Sequence, residues 1–146
     1  IPLMCGSMSG SVTPASNAKV VELLKALVRF PSLSHQEADI ADFIEHYVRR
    51  AGLPVQRLDN NVYFWLGEGE DRLLLNSHLD VVPPSADHPF DPFEPVELDG
   101  KLYGRGTVDA KASVAAMTTT ALKRYVRTFH PYRQPLLANQ HGLSLA

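Results

Sequence analysis

Residues 72–77 read RLLLNS, a short and nearly continuous apolar run that is followed directly by the triplet His78-Leu79-Asp80. Such a run is typical of a strand buried on both faces, as in the centre of a parallel sheet. Ligands of open α/β sheets bind beyond the carboxyl ends of such strands. We therefore predict a central strand over 72–77, with polar side chains placed where a ligand would bind.

Two amphipathic helices are predicted before this strand. Apolar residues at helical spacing indicate a first helix that is capped by Ser16 or Asn17 and ends near Phe30, which precedes a proline. A second helix follows, for which we assign Ser34 as the cap, with Glu37 three residues later completing a capping box. Both helices have a polar opposite face, so we expect both to pack on a core.

After Gly52, which closes the second helix, the apolar period changes from helix to strand. Alternating residues and turn signals predict four further short strands, at 54–58, 62–66, 95–98 and 101–103. Small residues from Ala110 to about Val126 predict a last helix packed tightly against the sheet. Helices followed by strands and another helix indicate an α/β sandwich.

Three polar residues stand out at the predicted chain turns. His78 and Asp80 are two residues apart, so their side chains point the same way on an extended chain. Asp109 follows a turn bracketed by Gly104 and Gly106 and precedes the last helix. Taken singly, none of them indicates a site: a core histidine and a loop cap are the more common interpretations of His78 and Asp80, and a helix N-cap is an ordinary role for Asp109. Together they are also the residue types that bind zinc, with Asp80 able to hold the other nitrogen of a ligating histidine.

Composition and motifs exclude several classes of protein. A net charge of −2 gives no case for nucleic-acid binding, and the single cysteine, Cys5, excludes a disulfide framework. No apolar run reaches the roughly 18 residues of a membrane span. No nucleophile elbow, phosphate loop or His-Glu-x-x-His motif is present. The first residues lack the features of a secretory signal, so we expect a cytoplasmic protein with no nucleic-acid or membrane partner.

Two longer motifs carry a resemblance to a known family. LLLNSHLDVVP at 73–83 and PFEPVELDGKLYGRGTVDAK at 92–111 resemble the zinc-dependent family of acetylornithine deacetylase, succinyl-diaminopimelate desuccinylase, aminoacylase and carboxypeptidase G. The resemblance implies a three-layer α/β sandwich with a central, mostly parallel sheet. It also implies a smaller lid domain, which usually mediates homodimerisation and is absent from this sequence.

The resemblance also implies roles for the three polar residues. His78 matches a ligand of one zinc ion, and Asp109 matches the carboxylate that bridges two zinc ions. Asp80 matches the catalytic residue that orients and polarises the histidine. Cobalt is a possible substitute for zinc. The implied reaction is hydrolysis of an amide bond in a small N-acyl amino acid or dipeptide, with a glutamate from an adjacent Glu-Glu pair as general base.

The end of the sequence departs from this pattern. All 16 acidic residues lie at or before Asp109, so no Glu-Glu pair follows it. The histidines at 130 and 141 lack the family's context for a ligand, and His88 and Asp91 are interpreted as loop polar groups. We interpret 1–16 as a disordered or tag-like extension, 17–127 as the N-terminal part of the catalytic domain, and 128–146 as an atypical basic tail. The composition suggests a frameshift or truncation near 118–128.

Two functions therefore remain in view. The first is acetylornithine deacetylase-like hydrolysis in amino-acid biosynthesis, by a dinuclear zinc site of which this chain carries the first part, or the related peptidase or desuccinylase activity. Without the Glu-Glu pair we expect the chain to be inactive. The alternative is a catalytically inactive binding or dimerisation module, in which unpaired strand edges would associate with a partner.

Overall fold

The computed structural model describes residues 14–67, 70, 73–87 and 89–129 of the 146-residue chain. Helix α1 spans Pro14–Val28, α2 spans Ala38–Arg50 and α3 spans Lys111–Phe129. Two antiparallel hairpins lie between α2 and α3 in the chain: β1 (Gln56–Leu58) with β2 (Asn61–Tyr63), and β3 (Val96–Leu98) with β4 (Lys101–Tyr103). None of the helices in the described ranges is long and apolar enough to cross a membrane.

Helix α1 begins two residues before the predicted cap at Ser16, with Pro14 as its first residue. Proline suits the first helical position because its fixed φ matches the helix and its missing N–H has no partner there. The apolar side of α1 is buried near its C-terminal end, where Leu27 and Val28 are both 0% exposed. The helix ends before Phe30-Pro31, as predicted.

The predicted capping box of α2 is wrong. Helix α2 begins at Ala38 with Glu37 in the N-cap position, and the Glu37 side chain makes no cap hydrogen bond. It accepts instead from the backbone N–H of His35, at 2.7 Å. The hydroxyl of Ser34 donates to Asp80, far along the sequence, and Ser34 lies four residues before the first residue of the helix. The predicted closure by Gly52 is confirmed, since this glycine has φ +82° directly after the C-cap residue Ala51.

Both hairpins form where the sequence places them. β4 has the predicted bounds, and the other three strands are shorter than predicted. Asp99-Gly100 forms the turn of the second hairpin, and both residues have positive φ. The first hairpin turns at Asp59-Asn60, and Leu58 faces Asn61 across it. These turn residues tolerate the left-handed conformation that a tight hairpin needs, so the local sequence is sufficient to predict them.

The predicted buried strand over 72–77 is wrong for the residues that the structure describes. Residues 73–77 form no sheet ladder, and Leu73 and Leu74 are 83% and 86% exposed. A strand becomes buried on both faces only when other strands and helices flank it, and no described strand lies beside residues 73–77. The central parallel sheet and the three-layer sandwich therefore stay predictions.

Helix α3 forms as predicted, but it packs on α1 rather than against a sheet. Its buried side contains Val114, Ala115 and Leu122, all of which belong to one core cluster with the apolar residues of α1 and α2. Ala115 is 0% exposed, which places the helix backbones close together. Helices α1 and α3 thus form the base on which the loops before α3 are held.

The structure describes only part of the segments predicted at the two ends of the chain. Residues 14–16 of the predicted extension lie in α1, whereas 1–13, with Cys5, lie outside the described residues. The residues of the basic tail from 130 onward, with the histidines at 130 and 141, also lie outside them, as does His88.

Candidate metal centre

The segment that carries His78 and Asp80 is held beside the turn between α1 and α2. The backbone N–H of Val81 donates to the carbonyl of Ser32 at 2.8 Å, and the Ser32 hydroxyl donates to the carbonyl of Leu79 at 2.7 Å. Ser32 is 2% exposed, so both bonds are shielded from water. They fix the residue on either side of Asp80 and so determine where its side chain points.

Asp109 is carried by the loop from Gly104 to α3. The Arg105 N–H donates to the Pro92 carbonyl at 2.6 Å, and the Lys111 N–H donates to the Gly106 carbonyl at 2.9 Å. The Asp109–Ala110 peptide bond is cis. These backbone bonds tie the loop to the β3 side of the molecule and to the start of α3.

Gly106 brings this loop into direct contact with the His78 segment. It has φ +85°, and a Cβ placed on it would lie 2.9 Å from Cγ1 of Val81 and 2.8 Å from Cδ of Lys111. Both distances are shorter than a van der Waals contact between two carbon atoms, so only glycine fits at this position. The close approach of the two segments is what brings Asp109 near His78.

Lys111 joins the loop to the end of α1. Its side chain is 0% exposed, and its Nζ donates to the Phe30 carbonyl at 2.7 Å. Burial lowers the pKa of Lys111 to about 8. A buried amine that makes a hydrogen bond to a fixed carbonyl is a positional anchor, and it lies two residues from Asp109.

The structure brings together all three residues singled out in the sequence. Nε2 of His78 lies 3.0 Å from Oδ1 of Asp109. On the other side of the ring, Nδ1 of His78 lies 3.0 Å from the backbone oxygen of Asp80 and 3.1 Å from its Oδ1. Oδ2 of Asp80 accepts a hydrogen bond from the Ser34 hydroxyl at 2.7 Å. Each ring nitrogen of His78 therefore faces a different carboxylate.

The exposure of His78 does not fit one of the simpler readings. The His78 side chain is 48% exposed, so it is not a core histidine. Asp80 accepts from the hydroxyl of Ser34 and lies within hydrogen-bond distance of His78, and the 86% exposed carboxylate of Asp109 reaches His78. The three side chains border a cleft of about 270 Å³, together with Val81, Val82 and the loop Gly104–Val108.

The local charges stabilise the ionised forms of this cluster. The Asp109 carboxylate beside Nε2 raises the pKa of His78 above its ordinary value, and Asp80 contributes in the same direction. The hydrogen bond from Ser34 lowers the pKa of Asp80, and His78 contributes in the same direction.

The two donor atoms fit two of the coordination positions of one tetrahedral zinc ion. Zinc bonds of about 2.0–2.2 Å with tetrahedral angles place two ligand atoms roughly 3.3 Å apart, close to the 3.0 Å between Nε2 of His78 and Oδ1 of Asp109. The Asp80 carboxylate at Nδ1 is the usual partner of a ligating histidine. No group of three or more His, Cys, Asp or Glu able to hold a metal occurs within the described ranges. The fit is therefore to part of a metal site.

Two contributors to the geometry were not identified as such in the sequence. Ser34 was assigned to a helix cap, and Lys111 was noted only as the last residue of a motif. The sequence feature that could have identified Lys111 is its position between apolar residues at the start of a packing helix. Asp91, interpreted as a loop polar group, is confirmed as one because its Oδ1 accepts from the Phe93 N–H at 2.9 Å.

Arg105 also borders the cleft. Its Nε is buried and has no hydrogen-bond partner within the described part of the chain, while one terminal nitrogen lies 3.5 Å from the Pro83 carbonyl. The side chain therefore adds positive charge at the edge of an otherwise acidic cluster.

Comparison with protein-family models gives a match that covers this site. Residues 74–137 match the model of peptidase family M20/M25/M40. The match spans less than half of the chain, and it includes His78, Asp80 and Asp109. It supports a relationship with a broad family of hydrolases that cleave amide bonds with zinc or another divalent metal, without distinguishing among the activities within it.

Proposed function

We propose that this chain contributes to the metal-dependent hydrolysis of an amide bond in a small N-acyl amino acid, in the manner of acetylornithine deacetylase. One observation carries the proposal: His78 Nε2 and Asp109 Oδ1 converge to 3.0 Å at the edge of a cleft, while Asp80 holds the opposite ring nitrogen. The match to the peptidase family over the same residues supports the reaction class.

The three residues take different roles in this proposal. His78 would hold one zinc ion through Nε2, and Asp109 would supply a carboxylate that two zinc ions share in a complete dinuclear site. Asp80 accepts the Nδ1–H of His78 and so acts as a positioning residue, since one carboxylate oxygen lies against the ring and the other accepts from Ser34. Zinc or cobalt at this site would supply Lewis acidity for the attack of water on an amide carbonyl.

The residues of this site do not include the glutamate that would act as general base. No adjacent Glu-Glu pair occurs among the 146 residues, and none of the acidic residues follows Asp109. A carboxylate that takes a proton from the attacking water must lie within hydrogen-bond reach of it. We therefore expect these 146 residues alone to bind metal weakly and to hydrolyse no N-acyl amino acid.

The cleft favours a small substrate. Its volume of about 270 Å³ is at the lower end of the range for small-molecule sites. The Arg105 side chain at its border offers donors to an anionic group, which an N-acyl amino acid carries as its carboxylate. A desuccinylase or dipeptidase substrate of similar size has the same carboxylate and remains the nearest alternative.

Ligand binding to the zinc-loaded chain tests this proposal. We would titrate N-acetyl-L-ornithine into the ¹⁵N-labelled 146-residue chain with Zn²⁺ and follow the amide spectrum. The proposal predicts shifts confined to the His78–Val82 segment and the Gly104–Asp109 loop, and their loss in His78→Ala. Shifts elsewhere, or equal shifts in His78→Ala, would contradict it. Hydrolysis that His78→Ala abolishes would contradict the statement that the site is partial.

A second candidate is association of two copies without catalysis. The specific observation is the exposure of Leu73, Leu74 and Leu75, three consecutive apolar residues whose backbone takes no part in a sheet. Unpaired apolar segments of extended chain readily pair with the same segment of another copy. Sedimentation velocity over a range of concentrations tests this candidate, since a monomer at all concentrations would exclude it.

A further inference from the structure

We propose that Ser34 is a positioning residue of the candidate metal centre, and that it orients His78 through the carboxylate of Asp80. The inference rests on the proposed function, because it assigns a purpose to the orientation of the ring. It concerns a residue outside both sequence motifs, 46 positions from its partner.

A continuous chain of polar contacts leads from Ser34 to the metal position. The Ser34 hydroxyl donates to Oδ2 of Asp80 at 2.7 Å, and Oδ1 of the same carboxylate lies 3.1 Å from Nδ1 of His78. Nε2 of that ring points at Asp109. Because the two oxygens of Asp80 have different partners, the carboxylate cannot rotate without losing one of them.

Ser34 is itself held in place by the backbone around it. Leu33 and Val81 form a parallel β-bridge, and Ser32 makes hydrogen bonds to both Leu79 and Val81. The short segments 32–34 and 79–81 therefore run side by side with fixed register. The Ser34–Asp80 bond joins two groups that are already ordered, so little further conformational entropy is lost when it forms.

The helix boundary supports the same assignment. The sequence predicts Ser34 as the cap of α2, yet α2 begins at Ala38 and takes Glu37 as its N-cap residue. The Ser34 hydroxyl donates instead to Asp80. Residue 35 has φ +71°, which turns the chain between Ser34 and the helix. The local structure thus directs the hydroxyl at the carboxylate rather than at the helix.

The consequence concerns which nitrogen of His78 carries the proton in the neutral ring. With Asp80 fixed, Nδ1 faces two acceptors, a carboxylate oxygen and a backbone oxygen, whereas Nε2 faces one oxygen of the 86% exposed Asp109 carboxylate, so the Nδ1–H tautomer is favoured. This is the tautomer that a metal ligated through Nε2 requires. When the hydroxyl is removed, the carboxylate loses one of its two partners, and the neutral ring is expected to populate both tautomers.

The test measures the tautomer in the metal-free 146-residue chain by long-range ¹H–¹⁵N NMR of His78, at about pH 9, where an ordinary histidine is neutral. The wild-type ring is expected to be mainly the Nδ1–H tautomer. Ser34→Ala is expected to raise the Nε2–H fraction at least twofold. Ser34→Thr keeps a hydroxyl and is expected to restore the wild-type ratio, while Ser85→Ala, at an exposed loop position, controls for loss of any surface serine.

A Co²⁺ titration of the same variants gives the second readout. Loss of an outer partner of a ligating histidine typically costs 10–100-fold in metal affinity. Ser34 is one hydrogen bond further from the metal position than Asp80. We therefore expect Ser34→Ala to weaken Co²⁺ binding by about threefold to tenfold and Ser34→Thr to leave it unchanged.

An unchanged tautomer ratio in Ser34→Ala overturns the proposal, and so does a Ser34→Thr variant that behaves like Ser34→Ala. A shifted ratio with unchanged Co²⁺ affinity overturns its connection to the metal. If the wild-type chain binds no Co²⁺, the proposed function fails, while the tautomer ratio still decides whether Ser34 orients His78.

Discussion

Nε2 of His78 lies 3.0 Å from Oδ1 of Asp109, although 31 positions separate the two residues in the chain. The contact depends on two tethers to the turn that follows α1. The buried Ser32 hydroxyl holds the carbonyl of Leu79, and the buried Lys111 amine holds the carbonyl of Phe30. One short segment therefore determines the separation of both candidate ligands.

Asp80→Asn is expected to weaken the binding of Zn²⁺ or Co²⁺ by about 10–100-fold without removing a metal ligand. The amide of asparagine is a poorer acceptor for Nδ1–H of His78, and it lacks the negative charge that favours a cation nearby. Isothermal titration calorimetry of the two proteins measures the difference. Asp91→Asn is the matched control, because Asp91 accepts a loop N–H and does not border the cleft. Equal losses in the two variants would contradict the assignment of Asp80.

Gly106→Ala is expected to reduce the free energy of unfolding by about 2–4 kcal/mol, since the new methyl group meets both Val81 and Lys111. Urea unfolding followed by circular dichroism measures the change. Gly67→Ala is a control with the same backbone strain, because Gly67 has φ +84° and no neighbour within 4 Å of an added Cβ. A loss for Gly106→Ala no larger than that of the control would show that the two loops are not in close contact.

Lys111→Ala is expected to destabilise the protein by about 2–4 kcal/mol, because it leaves a cavity beneath Gly106 and an unpaired carbonyl at Phe30. Lys111→Met fills the same space but leaves the Phe30 carbonyl unpaired, so it should recover only part of the loss. The comparison uses urea unfolding at neutral pH. A methionine variant as stable as the wild type would mean that the buried stem, rather than the hydrogen bond, anchors the loop.

Leu74→Lys is expected to shift the chain towards monomer in sedimentation velocity experiments. Leu74 is 86% exposed in a segment without sheet partners, and a charge there opposes strand pairing between copies. Leu98→Lys, at a position 49% exposed in β3, adds the same charge to a paired strand. An equal response in the two variants would show that association does not use the segment 73–77.

The parts of the fold predicted correctly are those with local causes. The hairpin at Asp99-Gly100 follows from turn chemistry, and α3 follows from the spacing of small and apolar residues. The grouping of His78 with Asp109 was also expected, because the two are zinc-binding residue types and because their motifs resemble those of one metal-dependent family.

The errors have non-local causes. Ser34 does not cap α2, which begins four residues later at Ala38. Its hydroxyl donates to Asp80, a contact that depends on how the chain folds over a long separation. Burial of Leu74 was inferred from its apolar neighbours in sequence, whereas burial is determined by which segments lie beside it. The anchoring role of Lys111 likewise depends on the Phe30 carbonyl, which no local pattern identifies.

The most direct test of the account is a Co²⁺ titration of the 146-residue chain, followed by visible absorption, for the wild type, His78→Ala and Asp109→Ala. The account predicts weak, saturable binding by the wild type and at least tenfold weaker binding by each variant, because each removes one of two ligands that converge on the same position. Wild-type affinity in both variants, or no saturable binding by the wild type, would contradict the assignment of His78 and Asp109 as a metal site.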